Sequence, residues 1–220
     1  MDAMRAEVKD RPFKAYAFSF TFIFFEQFKI IERELWTNLT LAALSVFVIT
    51  TILIAHVVTS SIVTLCVCLT IVDLLGVMWV WGLTIDSVNV IQLTLAIGLA
   101  VDYSAHIGHA FMQQQGSGGP NTVAERNRRI TAAVAELGAS VINGGMSTFL
   151  AVLMLSVSRS YVFRSFFKVF FGIVVLGLGH GLVFLPVLLS YCGPAPLQTP
   201  DEEGAEDAAE FDKSTDKGEL

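Results

Sequence analysis

Long apolar runs alternate with short polar breaks along most of this chain, and the length of the runs decides its class. From residue 35 to residue 72 there is no Asp, Glu, Lys or Arg. A core helix of a soluble domain does not require so long an uncharged stretch, whereas two membrane-crossing helices of about 20 residues each do. Polar breaks at His56–Ser61, at Gly82–Asp86, in the QQQGSGGPN segment at 113–121 and at Ser158–Arg164 divide the pattern. They predict five spans, about Leu39–Val57, Ile62–Trp81, Ser87–Phe111, Ala139–Val157 and Ser165–Tyr191.

Two amphipathic helices are expected beside these spans. Tyr16–Asn38 is rich in Phe and carries Glu26, Lys29, Glu32, Arg33 and Glu34 in its second half, so it reads as a connector lying in the interface and ending at Trp36. Thr122-x-x-Glu125 has the spacing of a capping box. Behind it Ile130, Val134, Leu137 and Val141 recur at helical spacing, opposite Arg126, Arg128 and Arg129, which predicts a surface-lying helix feeding the fourth span. The chain thus divides into an N-terminal segment with its connector (1–38), a five-helix membrane domain (39–192) with a loop at 113–138, and a tail (193–220). From Asp201 onward the tail is acidic and nearly free of large apolar residues, a composition that cannot offset the entropy of ordering, so disorder is expected there.

Composition agrees with the pattern. Charged residues make up 15% and apolar ones 54%, with a mean hydropathy of +0.64, against about 25% and 45–50% in soluble domains. Most of the net charge of −6 sits in the tail and no basic patch points to nucleic acid. Cys66 and Cys68 lie within an apolar run and Cys192 at a span's end, which implies packing rather than a metal site or a disulfide framework. Met1–Lys14 is polar and mixed in charge, unlike a secretory signal peptide. No cofactor, metal or enzymatic activity is expected.

Ionisable groups deep in a span cost about 2.5–3.5 kcal/mol each on insertion scales, so each needs a reason. Asp73 in the second span, Asp102, His106 and His109 in the third, and His180 in the fifth are the candidates. Thr94, Gly98, Asp102, His106 and His109 follow a helical period and form one polar stripe, which must face protein or water rather than lipid. Asp102 lies about 24 Å along the helix from Asp86, past the bilayer centre, where a carboxyl group is suited to loading and releasing a proton. Asp73 and His180 form a possible second intramembrane polar site. Gly177-x-x-x-Gly181 has the spacing of a close helix approach. Two other readings of His106-Ile107-Gly108-His109 fail on context. A nucleotide-binding signature needs a strand before it, and a di-iron desaturase needs more than the four histidines present.

Several motifs in order carry a family resemblance. Phe24-Phe25-Glu26-Gln27-Phe28, Gly76-Val77-Met78-Trp79-Val80-Trp81-Gly82 and the run His180 to Tyr191, HGLVFLPVLLSY, resemble the Niemann–Pick type C sterol transporters. Gly98-x-x-x-Asp102-Tyr103 followed by Ser104-Ala105-His106 resembles the Patched, Dispatched and MMPL branches of the same resistance–nodulation–division superfamily. The resemblance covers about Phe18 to Pro194 and implies an all-α integral membrane fold of two six-helix repeats. This chain would supply helices eight to twelve of the second repeat, without the first repeat, which becomes its expected partner. It also implies that residues 1–36 face outward, so that 1–38 is an extracytoplasmic remnant with its connector, and that the loop at 113–138 and the tail are cytosolic, the reverse of the orientation that counting Lys and Arg would give.

The function so implied is proton-coupled transport of a sterol or other membrane lipid, in a plasma or endosomal/lysosomal membrane. Asp102 would be the proton-binding carboxylate, with Tyr103 as its hydrogen-bond partner, His106 as a relay and Gly98 allowing close packing. The alternatives are a non-transporting, sterol-sensing receptor of Patched type and an inactive truncated fragment.

Overall fold

A computed structural model describes residues 20–116 and 120–196, and they are helical throughout apart from short connections. The elements are α1 (Phe20–Ile54), α2 (Val57–Val80), α3 (Ser87–Gln113), α4 (Val123–Leu153) with a 3-10 turn at Met154–Val157, α5 (Tyr161–Gly179), a π turn at His180–Phe184, and α6 (Leu185–Cys192). Five helical stretches are long and apolar enough to cross a membrane: Phe25–Ile54, Val57–Val80, Ser87–Gln113, Val123–Val157 and Tyr161–Cys192. The described residues therefore form an all-α bundle with five candidate spans. The expectations for residues 1–19 and for the acidic tail lie outside the described residues.

Sequence chemistry sets the breaks. α1 ends at Ile54, where Ala55 takes a left-handed φ of 55°, and His56 caps α2 by accepting the Thr59 N–H on its Nδ1. The first turn is thus two residues long and lies earlier than the expected break. Gly82, at φ 64°, makes the next turn, and Asp86 caps α3 by accepting the Asn89 N–H at 2.8 Å. Thr122 caps α4 through the Glu125 N–H. Glu125 pairs instead with Arg128 at 2.7 Å.

Two boundaries differ from the sequence reading. The connector and the first span are one unbroken helix, α1, because nothing between Glu34 and Leu39 is Gly or Pro. Leu35 and Leu39 are both buried in the same core cluster, which carries the packing across the expected junction. At 35 residues α1 is about 50 Å long, so its charged first turns extend past a hydrocarbon core of about 30 Å. The surface-lying helix and the fourth span are likewise one helix, α4, since its Gly138, Gly144 and Gly145 do not break it.

α3 is the axis of the bundle and packs on α1, α2, α4 and α5. Its most apolar stretch is 56% buried, against 17% in α1 and 11% in α4. The core forms two layers along it. One holds Leu74, Met78, Leu93, Ile97 and Ile173; the other holds Val63, Ile107, Phe111, Leu185 and Leu189. The π turn has a local cause. Pro186 brings no N–H and its ring crowds the carbonyl four residues back, so the chain widens and Leu185 N–H bonds to His180 O.

Candidate functional site

α3 leaves one stripe uncovered. Ile91, Leu95, Gly98, Asp102 and His106 are exposed along it, while Thr94 and His109, expected on the same stripe, are half-buried. Thr94 donates its hydroxyl to Val90 O. The polar half of the stripe opens on a groove of about 480 Å³ between α3 and α4, whose lining includes Asp102, Tyr103 and His106 of α3 with Ser140, Gly144 and Thr148 of α4. The fold therefore brings Asp102, Tyr103 and His106 together. Gly98 lies one turn away with open space around it, and a Cβ there would meet nothing within 4 Å.

Tyr103 faces inward although its neighbour Asp102 faces out. A Cβ on Gly177 would lie 2.6 Å from Tyr103 Cδ2, and one on Gly181 would lie 2.6 Å from Tyr103 O. These two glycines let α5 and the π turn press directly against the α3 backbone behind Asp102. The Tyr103 hydroxyl is buried near Thr148 without a hydrogen bond of standard geometry. Its oxygen stands beside the groove that Asp102 lines.

Asp73 and His180 also meet. His180 Nε2 lies 3.3 Å from Asp73 Oδ2, with its Nδ1 3.0 Å from Leu176 O. This pair is on the α2–α5 side of the bundle.

Two arginines were misread by sequence pattern. Arg129 was expected on the polar face of its helix but is fully buried, donating to Phe111 O at 2.9 Å and Pro194 O at 2.8 Å, with its guanidinium 4.2 Å over the Phe111 ring. Arg126 donates to Ser190 O, Tyr191 O and Asn121 O. Each ties α4 to the C-terminal end of another span, where exposed carbonyls and the helix dipole favour a cation. The signal was present in the spacing, because Arg126, Arg129, Ile130 and Ala133 share one helical face. Only Arg128 points outward as expected. Also missed was the buried Ser165 hydroxyl, which donates to Asn89 Oδ1 at 2.6 Å and links the N-terminal ends of α3 and α5.

Fold and site together define a multi-spanning helical membrane protein with ionisable groups on its spanning helices. No family model matches the chain. It is 31% identical over 189 residues to the pig protein named NPC intracellular cholesterol transporter 1, an alignment covering 83% of this chain. It is 30% identical over 203 residues to the Drosophila homologue 1b of that transporter, covering 91% of the chain, and 30% identical over 188 residues to zebrafish Protein patched homolog 1, covering 85%. The chain belongs to the NPC1/Patched family. Its matched segment spans 14%, 16% and 15% of the length of those three relatives.

Proposed function

We propose that this chain is part of a proton-coupled secondary transporter of sterol or another membrane lipid, that it acts as five helices of the second repeat, and that Asp102 binds the coupling proton. The supporting observation is the exposed face of α3. Asp102 and His106 stand within a candidate membrane span on a stripe left exposed among the described residues. A carboxylate facing hydrocarbon is costly, so that stripe calls for water or another helix. The first repeat of the transporter is the partner that fits. Gly98, open beside Asp102, gives such a helix room to approach.

Coupling follows from the charge. Neutral Asp102 tolerates a closed, dry helix contact, while charged Asp102 requires water or a donor, so the two protonation states favour different helix arrangements. Tyr103, held from behind by Gly177 and Gly181, keeps the α3 backbone fixed at this point. His106, one turn further along the same face, passes the proton toward the cytosolic end. Transport rather than catalysis is the proposed activity, in a plasma or endosomal/lysosomal membrane. A lipid-sensing protein that does not transport is the second reading, supported by the 30% identity to the Patched relative beside the 31% to the pig transporter. Lipid flux driven by a pH gradient, measured in vesicles holding this chain with its partner repeat, separates the two; a sensor binds lipid without gradient-driven flux.

A further inference from the structure

We infer that Asp73 and His180 form a second proton-binding site, distinct from Asp102, which holds one shared proton and closes the contact between α2 and the π turn only while it is loaded. One ring nitrogen of His180 is already committed to the backbone. Leu176 O, 3.0 Å from Nδ1, can only accept, so Nδ1 carries a hydrogen. The other ring nitrogen, Nε2, is the atom 3.3 Å from Asp73 Oδ2. With no further proton, that contact would set a nitrogen lone pair against a carboxylate. One proton, on Nε2 or on the carboxyl group, turns it into a hydrogen bond.

Charge distinguishes the two forms. With the proton the pair has no net charge, either as imidazolium with carboxylate or as two neutral groups. Without it the pair is a net anion inside a membrane span, on a side chain of Asp73 that is 52% exposed in this bundle. From α1, which packs on α2, the core cluster around Ile71 and Leu74 takes the apolar Leu39, Ala42 and Val46. From α3 comes Tyr103, whose backbone and ring abut Gly181 and Gly177, while Asp102 faces the groove. From α4 come apolar contacts, Gly145 with Leu178 and Gly138 with Leu182. On the same segment Phe184 sets its ring edge-to-face with His180 at 5.5 Å, and Lys168 of α5 donates to Trp81 O. Among the described residues neither Asp73 nor His180 makes an ion pair with a third group.

The position gives the site a mechanical consequence. His180 opens the π turn, and the next residue, Gly181, rests on Tyr103 O with no room for a Cβ. Opening the Asp73–His180 contact frees the widened turn, the least regular part of the fifth span, directly behind the α3 segment that carries Asp102.

The test does not use transport, so it fails or succeeds independently of the Asp102 reading. The chain is reconstituted in lipid bilayers with ¹⁵N-histidine and ¹³C-carboxyl aspartate, and the Nε2-to-carboxyl contact is followed by solid-state NMR as pH rises. His180→Gln assigns the signal. The contact is expected at low pH and is expected to be lost as the shared proton leaves. In Asp73→Asn, followed through the labelled carboxamide carbon, the amide donates to Nε2 without a shared proton, so the contact should persist at every pH. A wild-type contact unchanged while Nε2 and the carboxyl group both lose their protons overturns the proposal. So does an Asp73→Asn contact that opens with pH as the wild type's does. Asp102→Asn is expected to leave the pH dependence intact; its loss there would assign the proton to Asp102 instead.

Discussion

The Arg129 end of the bundle and the Asp102 groove both place charge within a helix long and apolar enough to span a membrane, and they treat it in opposite ways. Arg129 is buried with two carbonyl acceptors and an aromatic face, and Arg126 beside it satisfies three more carbonyls. Every one of those acceptors lies at or beyond a helix end, so the cations complete the backbone where it runs out of internal partners. Asp102 and His106 stand in mid-helix on an uncovered stripe, and neither makes an ion pair among the described residues. A charge that the fold has finished with is structural. One left open, at a cost the rest of the helix does not incur, is where chemistry or a missing partner is to be sought.

Breaking the finished end should cost the most stability. Arg129→Ala leaves Phe111 O and Pro194 O without their donor and empties the space over the Phe111 ring. We expect a loss of about 2–4 kcal/mol, read from unfolding of the purified chain in detergent or bicelles. Little change would mean that water replaces the guanidinium and that this end is not a clasp. Gly181→Ala should come next. Its Cβ meets a backbone oxygen that cannot turn aside, so a destabilisation of about 1–3 kcal/mol is expected, with a weakened α3–α5 contact visible by cross-linking. Gly98→Ala should have the smallest effect, within about 0.5 kcal/mol for this chain alone, because its Cβ would enter open space. With the proposed partner repeat bound, the same substitution should weaken assembly. Equal behaviour with and without the partner would show that the open stripe is not its docking face.

Much of this was legible in the sequence. Five long apolar blocks gave five spans, since length and hydropathy are local properties that the bilayer reads directly. The period of α3 placed Gly98, Asp102 and His106 on one face for the same reason. Boundaries were less legible. The charges from Glu26 to Glu34 looked interfacial, yet a helix without Gly or Pro carries straight on into the span and simply projects beyond the hydrocarbon. Arg129 was misread because arginine on a helix is normally a solvated group. What buries it is a set of carbonyls at the ends of two other spans, supplied by tertiary structure alone. The meeting of Asp73 with His180 depends on packing between α2 and α5 and on the turn induced by Pro186, so no local pattern announces it.

The central claim is that Asp102 carries the coupling proton, and Asp102→Asn tests it most directly because it keeps size and hydrogen bonding while removing titration. The measurement is lipid flux against an imposed pH gradient, in vesicles holding this chain assembled with its partner repeat. We expect gradient-driven flux to be abolished while abundance, thermal stability and lipid binding stay near the wild-type level, with His106→Gln giving an intermediate loss. Normal gradient-driven flux in Asp102→Asn would make the carboxylate a packing residue and contradict the account.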